Sequence, residues 1–138
     1  MYRVQSGEHE LDAVFSAELC NIDFFCKDVE SFLTENGLDA EHFKVILGIR
    51  EILTNAIRHG CGSDSEKKVC AGICFSQGEV ILYAEDPGRG YDWEKMLSCP
   101  PGICTESGRG LCILQNYFSS LDFNQQGNKI VLRVQIGS

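Results

Sequence analysis

Two apolar runs with a short break between them constrain the fold of this chain most strongly. Residues 67–76 (KKVCAGICFS) and 79–85 (EVILYAE) alternate or run apolar, and Gln77 and Gly78 separate them. This pattern predicts a β-hairpin. A hairpin flanked by helices is typical of an α+β protein, in which helices cover one face of a sheet.

The spacing of apolar residues predicts two helices before this hairpin. In residues 17–36 they recur every three or four positions, and Gly37 follows as a C-terminal glycine. Asp39 is the predicted N-cap of the second helix, which continues to about His59 and stops at Gly60. The apolar positions of the first helix are Leu19, Ile22, Cys26, Val29 and Leu33.

Three further segments complete the predicted fold. Residues 2–14 alternate weakly and are interpreted as an N-terminal strand or hairpin, residues 110–119 as a third helix, and residues 121–136 as a final hairpin turning near Gly127. The expectation is therefore an α+β two-layer sandwich, with three main helices on one face of a mixed, mostly antiparallel sheet. Residues 1–138 are of the length of one domain.

Charge and hydropathy exclude two kinds of partner. The net charge is −8, and Lys67 and Lys68 are the only adjacent basic residues. Counterion release from nucleic acid or from anionic lipid requires clustered basic side chains, so neither is an expected partner. No apolar stretch approaches the roughly 20 residues that span a bilayer. The N-terminus lacks the pattern of a signal peptide, and the expected location is the cytoplasm.

The chain has eight cysteines, and no two of them form a C-x-x-C pair. Zinc-ribbon and thioredoxin spacings are therefore missing, and most of these cysteines are expected to be small buried hydrophobes. One alternative stays open, which is a redox or metal site at Cys99 and Cys104 in CPPGIC.

The second helix carries an acid, an amide and an imidazole in one row: Glu51, Asn55 and His59. A polar stripe opposite an apolar one is usually a solvated face. The apolar face comprises Val45, Ile46, Ile49, Ile52, Leu53, Ala56 and Ile57. The opposite face comprises Lys44, Gly48, Glu51, Asn55, Arg58 and His59.

Two glycine-containing loops follow this helix. In EDPGRGYD, Gly88 and Gly90 come directly after a predicted strand that ends at Asp86. In ESGRGLCIL, Gly108 and Gly110 stand at the start of a predicted helix, whose free N–H groups can bind an anion. Neither loop matches the Walker A or the G-x-G-x-x-G pattern.

The helical E-x-x-x-N-x-x-x-H, the D-x-G-x-G after a strand and the G-x-G before a helix occur in this order. This ordered set resembles the GHKL (histidine kinase-like) ATPase domain, and its E-x-x-x-N-A-x-x-H-G wording is most similar to the bacterial anti-sigma-factor serine/threonine kinases. The resemblance covers about residues 8–136 and implies the Bergerat-type ATP-binding fold. It also favours a site over a solvated face for the row.

The resemblance implies a role for each matched residue of the first two motifs. Asn55 would hold Mg²⁺ through its amide oxygen, which is the kind of ligand that Mg²⁺ prefers. Asp86 would accept a hydrogen bond from the adenine amino group of ATP. Gly88 and Gly90 would form the floor beneath the base.

The remaining matches concern the phosphates and the chemistry. Gly108, Arg109 and Gly110 would contact the phosphates, and Glu51 would be the general base toward a substrate serine. His59 matches the motif but has no assigned role, and it also fits a helix C-terminal cap.

Two functions follow from the resemblance. The first is an anti-sigma regulatory factor that binds a sigma factor and, with Mg-ATP, phosphorylates a serine of an antagonist protein, thereby regulating transcription. The alternative is a nucleotide-dependent protein-binding switch that transfers nothing. The resemblance also implies a homodimer. A third hypothesis, a histidine-kinase catalytic domain, has weaker support, because no region remains for a phosphoacceptor helix pair. A fourth, a cysteine-based redox or metal sensor, rests on the number of cysteines alone.

Overall fold

The described part of the chain is one antiparallel sheet with two long helices against it. The structure is a computed structural model, and it describes residues 1–62, 64–88, 114–124 and 128–136. Within these residues the strand order is β1-β2-β3-β4-β6-β5, and every pairing is antiparallel. The elements are β1 Tyr2–Ser6, β2 Glu10–Ser16, α1 Leu19–Glu35, α2 His42–Asn55, β3 Lys68–Ser76, β4 Glu79–Glu85, β5 Ser120–Phe123 and β6 Lys129–Gln135.

One face of the sheet packs against the helices and forms the core. Every second residue of β2, β4 and β6 is buried there, as are Val69, Ala71 and Ile73 of β3, because successive side chains of a strand point to opposite faces. The predicted α+β class, with helices against a mostly antiparallel sheet, is confirmed. The inward-facing residues include Phe15, Val69, Ala71, Ile73, Val80, Leu82, Ala84, Ile130, Leu132 and Val134.

The hairpin predicted from the apolar alternation is present as β3 and β4. Its two turn residues, Gln77 and Gly78, have φ angles of 52° and 74°. Positive φ at both central positions is the signature of a type I′ turn, whose twist matches that of the flanking strands. The N-terminal hairpin is also confirmed, since β1 pairs with β2 along its whole length.

Helix α1 ends as predicted, but the start of α2 differs from the prediction. Gly37 has a φ of +68°, which permits the chain to leave α1. Asp39 is not the N-cap of α2, because Asp39–Glu41 form a 3₁₀ turn and α2 begins at His42. The Asp39 carboxylate instead accepts a hydrogen bond from the Thr34 hydroxyl at 3.0 Å, which ties the turn to α1.

The predicted third helix is only partly within the described residues. Leu114 is helical, and a turn over residues 115–117 follows it, so the helix ends before residue 119. Residues 110–113 lie outside the described part. The final hairpin is confirmed as β5 paired with β6. No helix in the described ranges is long and apolar enough to cross a bilayer.

The cysteines only partly behave as predicted. Cys26 and Cys61 are buried, whereas Cys70 and Cys74 are half-buried and Cys20 is exposed. These five thiols are free. Among the described residues, no group of three or more His, Cys, Asp or Glu side chains could hold a metal ion. Cys99, Cys104 and Cys112 lie outside the described residues.

Gly48 is buried, although the helical pattern placed it on the polar face of α2. A Cβ at this position would lie 2.6 Å from Cζ of Phe118 and 3.2 Å from Cδ1 of Leu132. Phe118, which follows the residues outside the described part, therefore packs directly against the α2 backbone. Its ring requires the absence of a side chain at position 48.

We expect Gly48→Ala to lower the free energy of unfolding by about 1–3 kcal/mol, because the new methyl group overlaps the Phe118 ring. In a Phe118→Ala background the same change should be stabilising by up to about 1 kcal/mol, since alanine is the better helix former. Urea unfolding of the four proteins checks this reversal of sign. A stabilising Gly48→Ala change in the wild-type background would contradict the proposed contact.

Candidate functional site

Asn55 is the last residue of α2, and its side chain is only 3% exposed. Its amide nitrogen donates a hydrogen bond to the backbone carbonyl of Glu51 at 2.9 Å. A carbonyl oxygen only accepts, so this bond fixes the orientation of the amide. The amide oxygen Oδ1 therefore lies on the side of the amide that faces away from this carbonyl.

The helix changes its winding immediately after Asn55. Ala56–Gly60 form a π-type turn, and the N–H of Cys61 donates to the carbonyl of Ala56 at 2.9 Å. Such turns are rare and occur frequently at functional sites. Here the turn carries the chain from α2 to Cys61, which is buried.

Cys61 shows that the end of α2 and the end of β4 lie close together. Burial, and to a smaller extent the Asp86 carboxylate, raise the pKa of the Cys61 thiol to about 11, although Lys67 lowers it in part. Cys61 is therefore a protonated, weakly reactive thiol at neutral pH. Helix α2 also packs directly on β4, whose last residue precedes Asp86.

Asp86 is a buried carboxylate at the end of β4, with 5% of its surface exposed. Its Oδ1 accepts a hydrogen bond from the N–H of Gly88 at 2.7 Å, which closes a tight turn. Burial raises the pKa of Asp86, and the Gly88 bond and Lys67 oppose this rise. An ionised carboxylate only accepts hydrogen bonds, and burying its charge is unfavourable. The fold nevertheless holds the Asp86 carboxylate one residue beyond the end of β4.

Glu51 lies one helical turn before Asn55 and is half-buried. Burial raises the pKa of its carboxyl group, and the guanidinium of Arg58 lowers it in part. Within the described residues its carboxylate has no salt bridge at short range. A carboxylate in this environment takes up a proton more readily than an ordinary surface glutamate does.

The structure describes four of the residues that the sequence predicted for the site. Glu51 and Asn55 share one side of α2, and Asp86 and Gly88 follow the strand on which α2 packs. The positions Gly90, Gly108, Arg109 and Gly110 lie outside the described residues, as does the side chain of His59. Asn55 is buried, so the row is not a simple solvated face.

The sequence reasoning missed Asn128, which precedes β6. Its side-chain nitrogen donates to the backbone carbonyl of Asp86 at 2.9 Å. Its backbone carbonyl accepts from the N–H of Asp86 at 2.9 Å. The 42 residues that separate the two positions explain the omission. The sequence signal in this segment is the predicted turn near Gly127 and Asn128.

The fold and the site define an α+β domain with buried polar groups where one helix end meets one strand end. Residues 15–134 match the family model of the histidine kinase-like ATPase domain. The chain belongs to this family, and the resemblance predicted from its motifs is confirmed. A domain of this family binds ATP.

Known relatives agree with this assignment. The chain is 24% identical over 140 residues to the anti-sigma F factor of Clostridium perfringens strain SM101. The proteins of the same name in strains ATCC 13124 and 13 give the same identity. Each match covers 95% of this chain and 99% of the relative.

We expect Asp86→Asn to stabilise the protein at neutral pH. Because burial raises the Asp86 pKa, the carboxyl contributes stability below its usual pKa of about 4, and this contribution is lost as pH rises through the raised value. Asparagine carries no charge and can still accept the Gly88 bond. The variant should therefore gain stability relative to wild type as pH increases.

Urea unfolding at several pH values measures this difference, and Asp122→Asn, at an exposed position of β5, controls for the loss of one negative charge. A difference between Asp86→Asn and wild type that does not change with pH would show that burial of this carboxylate carries no cost.

Proposed function

We propose that this protein is an anti-sigma regulatory factor with serine/threonine protein kinase activity. It transfers the γ-phosphate of ATP to a serine of an antagonist protein and also binds a sigma factor. The observation that carries this proposal is the half-buried Glu51 carboxylate one turn before the buried Asn55 amide. The family match and the similarity to anti-sigma F factors support it.

Asp86 is the proposed recognition group for the base of ATP. An ionised carboxylate only accepts hydrogen bonds, and adenine offers an amino group where guanine offers a carbonyl oxygen. The bond from Gly88 to Oδ1 supports this role because it orients the carboxylate. Oδ2 is the proposed acceptor for the adenine amino group. In this proposal Gly88 and Gly90 would form the floor beneath the base, and Gly108, Arg109 and Gly110 would bind the phosphates, as the family resemblance implies.

Asn55 is the proposed ligand of Mg²⁺. The donor set fits, because Mg²⁺ takes oxygen ligands and often keeps several waters and substrate phosphates. The bond to the Glu51 carbonyl directs Oδ1 away from the helix backbone. When bound, Mg²⁺ neutralises phosphate charge during phosphoryl transfer.

Glu51 is the proposed general base. Its pKa is raised by burial, which brings the carboxylate closer to the range in which a base is effective at neutral pH. The Glu51 carboxylate takes the proton of the serine hydroxyl as the oxygen attacks the γ-phosphorus. The bond from that phosphorus to the bridging oxygen of ADP breaks, and the ADP keeps the electron pair.

We expect Asn55→Ala to weaken the binding of Mg-ATP far more than the binding of metal-free ATP. The amide oxygen that holds the metal is lost, whereas the base contacts at Asp86 are unchanged. Calorimetric titrations with and without a chelator measure the two affinities. In the variant, chelation should cause little further loss.

Asn36→Ala is the matched control for this variant. The Asn36 amide also donates to the carbonyl four residues earlier, Phe32, at 2.9 Å, but it lies at the end of α1. The control should keep the wild-type metal dependence. Fully additive losses from chelation and from Asn55→Ala would exclude Asn55 as the ligand.

We expect Glu51→Gln to lower phosphotransfer at least about 100-fold, because the loss of a positioned general base typically has an effect of this size. The affinity for ATP should stay near that of wild type, since the base acts in the transition state. The melting temperature should not fall, because glutamine avoids the cost of burying a charge. Labelled ATP and a serine-containing antagonist measure the transfer.

Glu35→Gln, an exposed change on α1, is the control and should transfer phosphate at the wild-type rate. Unchanged transfer in Glu51→Gln would rule out the general base. A wild type that binds ATP but transfers nothing would instead support a nucleotide-dependent protein-binding switch.

A further inference from the structure

Asn128 forms hydrogen bonds with both backbone polar groups of Asp86, the N–H and the carbonyl. The N–H of Asp86 donates to the Asn128 carbonyl at 2.9 Å, and the Asn128 side chain donates to the Asp86 carbonyl at 2.9 Å. These bonds continue the pairing of β4 with β6 by one position, beyond Glu85 and Lys129. Asp86 is thus held in line with the strand.

The same side chain also holds the turn that follows Asp86. The Asn128 amide nitrogen lies 3.4 Å from the carbonyl oxygen of Gly88, and the N–H of Gly88 donates to the Asp86 carboxylate at 2.7 Å. One amide therefore bridges the first and the last carbonyl of the segment from Asp86 to Gly88. The carboxylate is oriented within that segment.

Asn124 fixes the orientation of the Asn128 amide. The Asn124 side chain donates to Oδ1 of Asn128 at 2.6 Å, and its own Oδ1 accepts from the N–H of Asn128 at 3.0 Å and from the N–H of Lys129 at 3.3 Å. Because Oδ1 of Asn128 accepts from Asn124, its nitrogen has to face Asp86.

We propose that Asn128, oriented by Asn124, is a positioning residue that sets the adenine selectivity of the site by fixing the Asp86–Gly88 turn. The inference rests on the proposed base recognition by Asp86. A hydrogen bond weakens steeply as its geometry departs from the optimum, so a carboxylate that moves within its turn loses its preference for adenine over guanine. The proposal gives both asparagines a positioning role and no contact with the base.

The test is the ratio of ATP to GTP affinity in wild type, Asn128→Ala and Asn128→Asp, measured by calorimetry. Wild type should prefer ATP by at least about 10-fold. Both variants should bind ATP about 10-fold more weakly and GTP nearly as wild type does, so the ratio approaches one. Asn128→Asp keeps the shape of the side chain but removes the donor. Asn124→Ala should have a smaller effect in the same direction.

Asn21→Ala is the matched control. This buried asparagine also donates to a backbone carbonyl, that of Ser16, at 2.9 Å, but it joins β2 to α1. The control should lose stability and keep the wild-type ratio. Equal weakening of ATP and GTP in the Asn128 variants, or an unchanged ratio, overturns the inference while leaving the proposed function intact.

Amide hydrogen exchange gives a second measurement that needs no nucleotide. Exchange at Asp86 and Gly88 should be faster in both Asn128 variants than in Asn21→Ala at matched stability, since local opening no longer has to break the bonds of the Asn128 side chain. Unchanged exchange at these two amides overturns the inference. A wild type without preference for ATP overturns the proposed base recognition itself, and this result is visible before any variant is compared.

Discussion

The packing of α2 on the inner face of the sheet is the constraint on which the rest of the structure depends. Ile49, Ile52 and Leu53 are fully buried, and α2 lies against β4. Once this apolar side is committed to the core, the rotation of the helix is fixed. The directions of Glu51 and Asn55 are then fixed too, because both lie on the same helix at fixed angles from the buried residues.

The pKa values of the two site carboxylates are shifted in the opposite direction from those of carboxylates in a structural ion pair. A paired carboxylate has a lowered pKa, but burial raises the pKa of both Glu51 and Asp86. Arg58 and Lys67 offset this only in part. The folded chain therefore keeps two carboxylates in positions that destabilise it at neutral pH. Such a loss of stability is typical of functional sites, where a bound ligand supplies the hydrogen-bond donors or cations that the charged groups lack.

Local patterns predicted the parts of the fold that local forces determine. The β3–β4 hairpin followed from alternation and from a turn at Gln77 and Gly78, which adopt the required positive φ angles. The failures involve contacts that no local pattern encodes. Gly48 looks polar-facing on a helical projection, yet Phe118 from a distant segment covers it. Asp39 has the chemistry of an N-cap, but its carboxylate binds Thr34 instead.

The site residues were predictable only as far as motifs extend, and Asn128 shows why. Its contribution depends on the register of β4 and β6, in which Leu82 pairs with Leu132 and Ala84 with Ile130. These inward-facing pairs belong to the core, and a shift by one residue would turn each of them to the outer face. The same shift would remove Asn128 from Asp86. Apolar packing in the middle of the sheet thus determines the hydrogen bonds at its end, and the geometry of the site is a consequence of the core rather than of its loops.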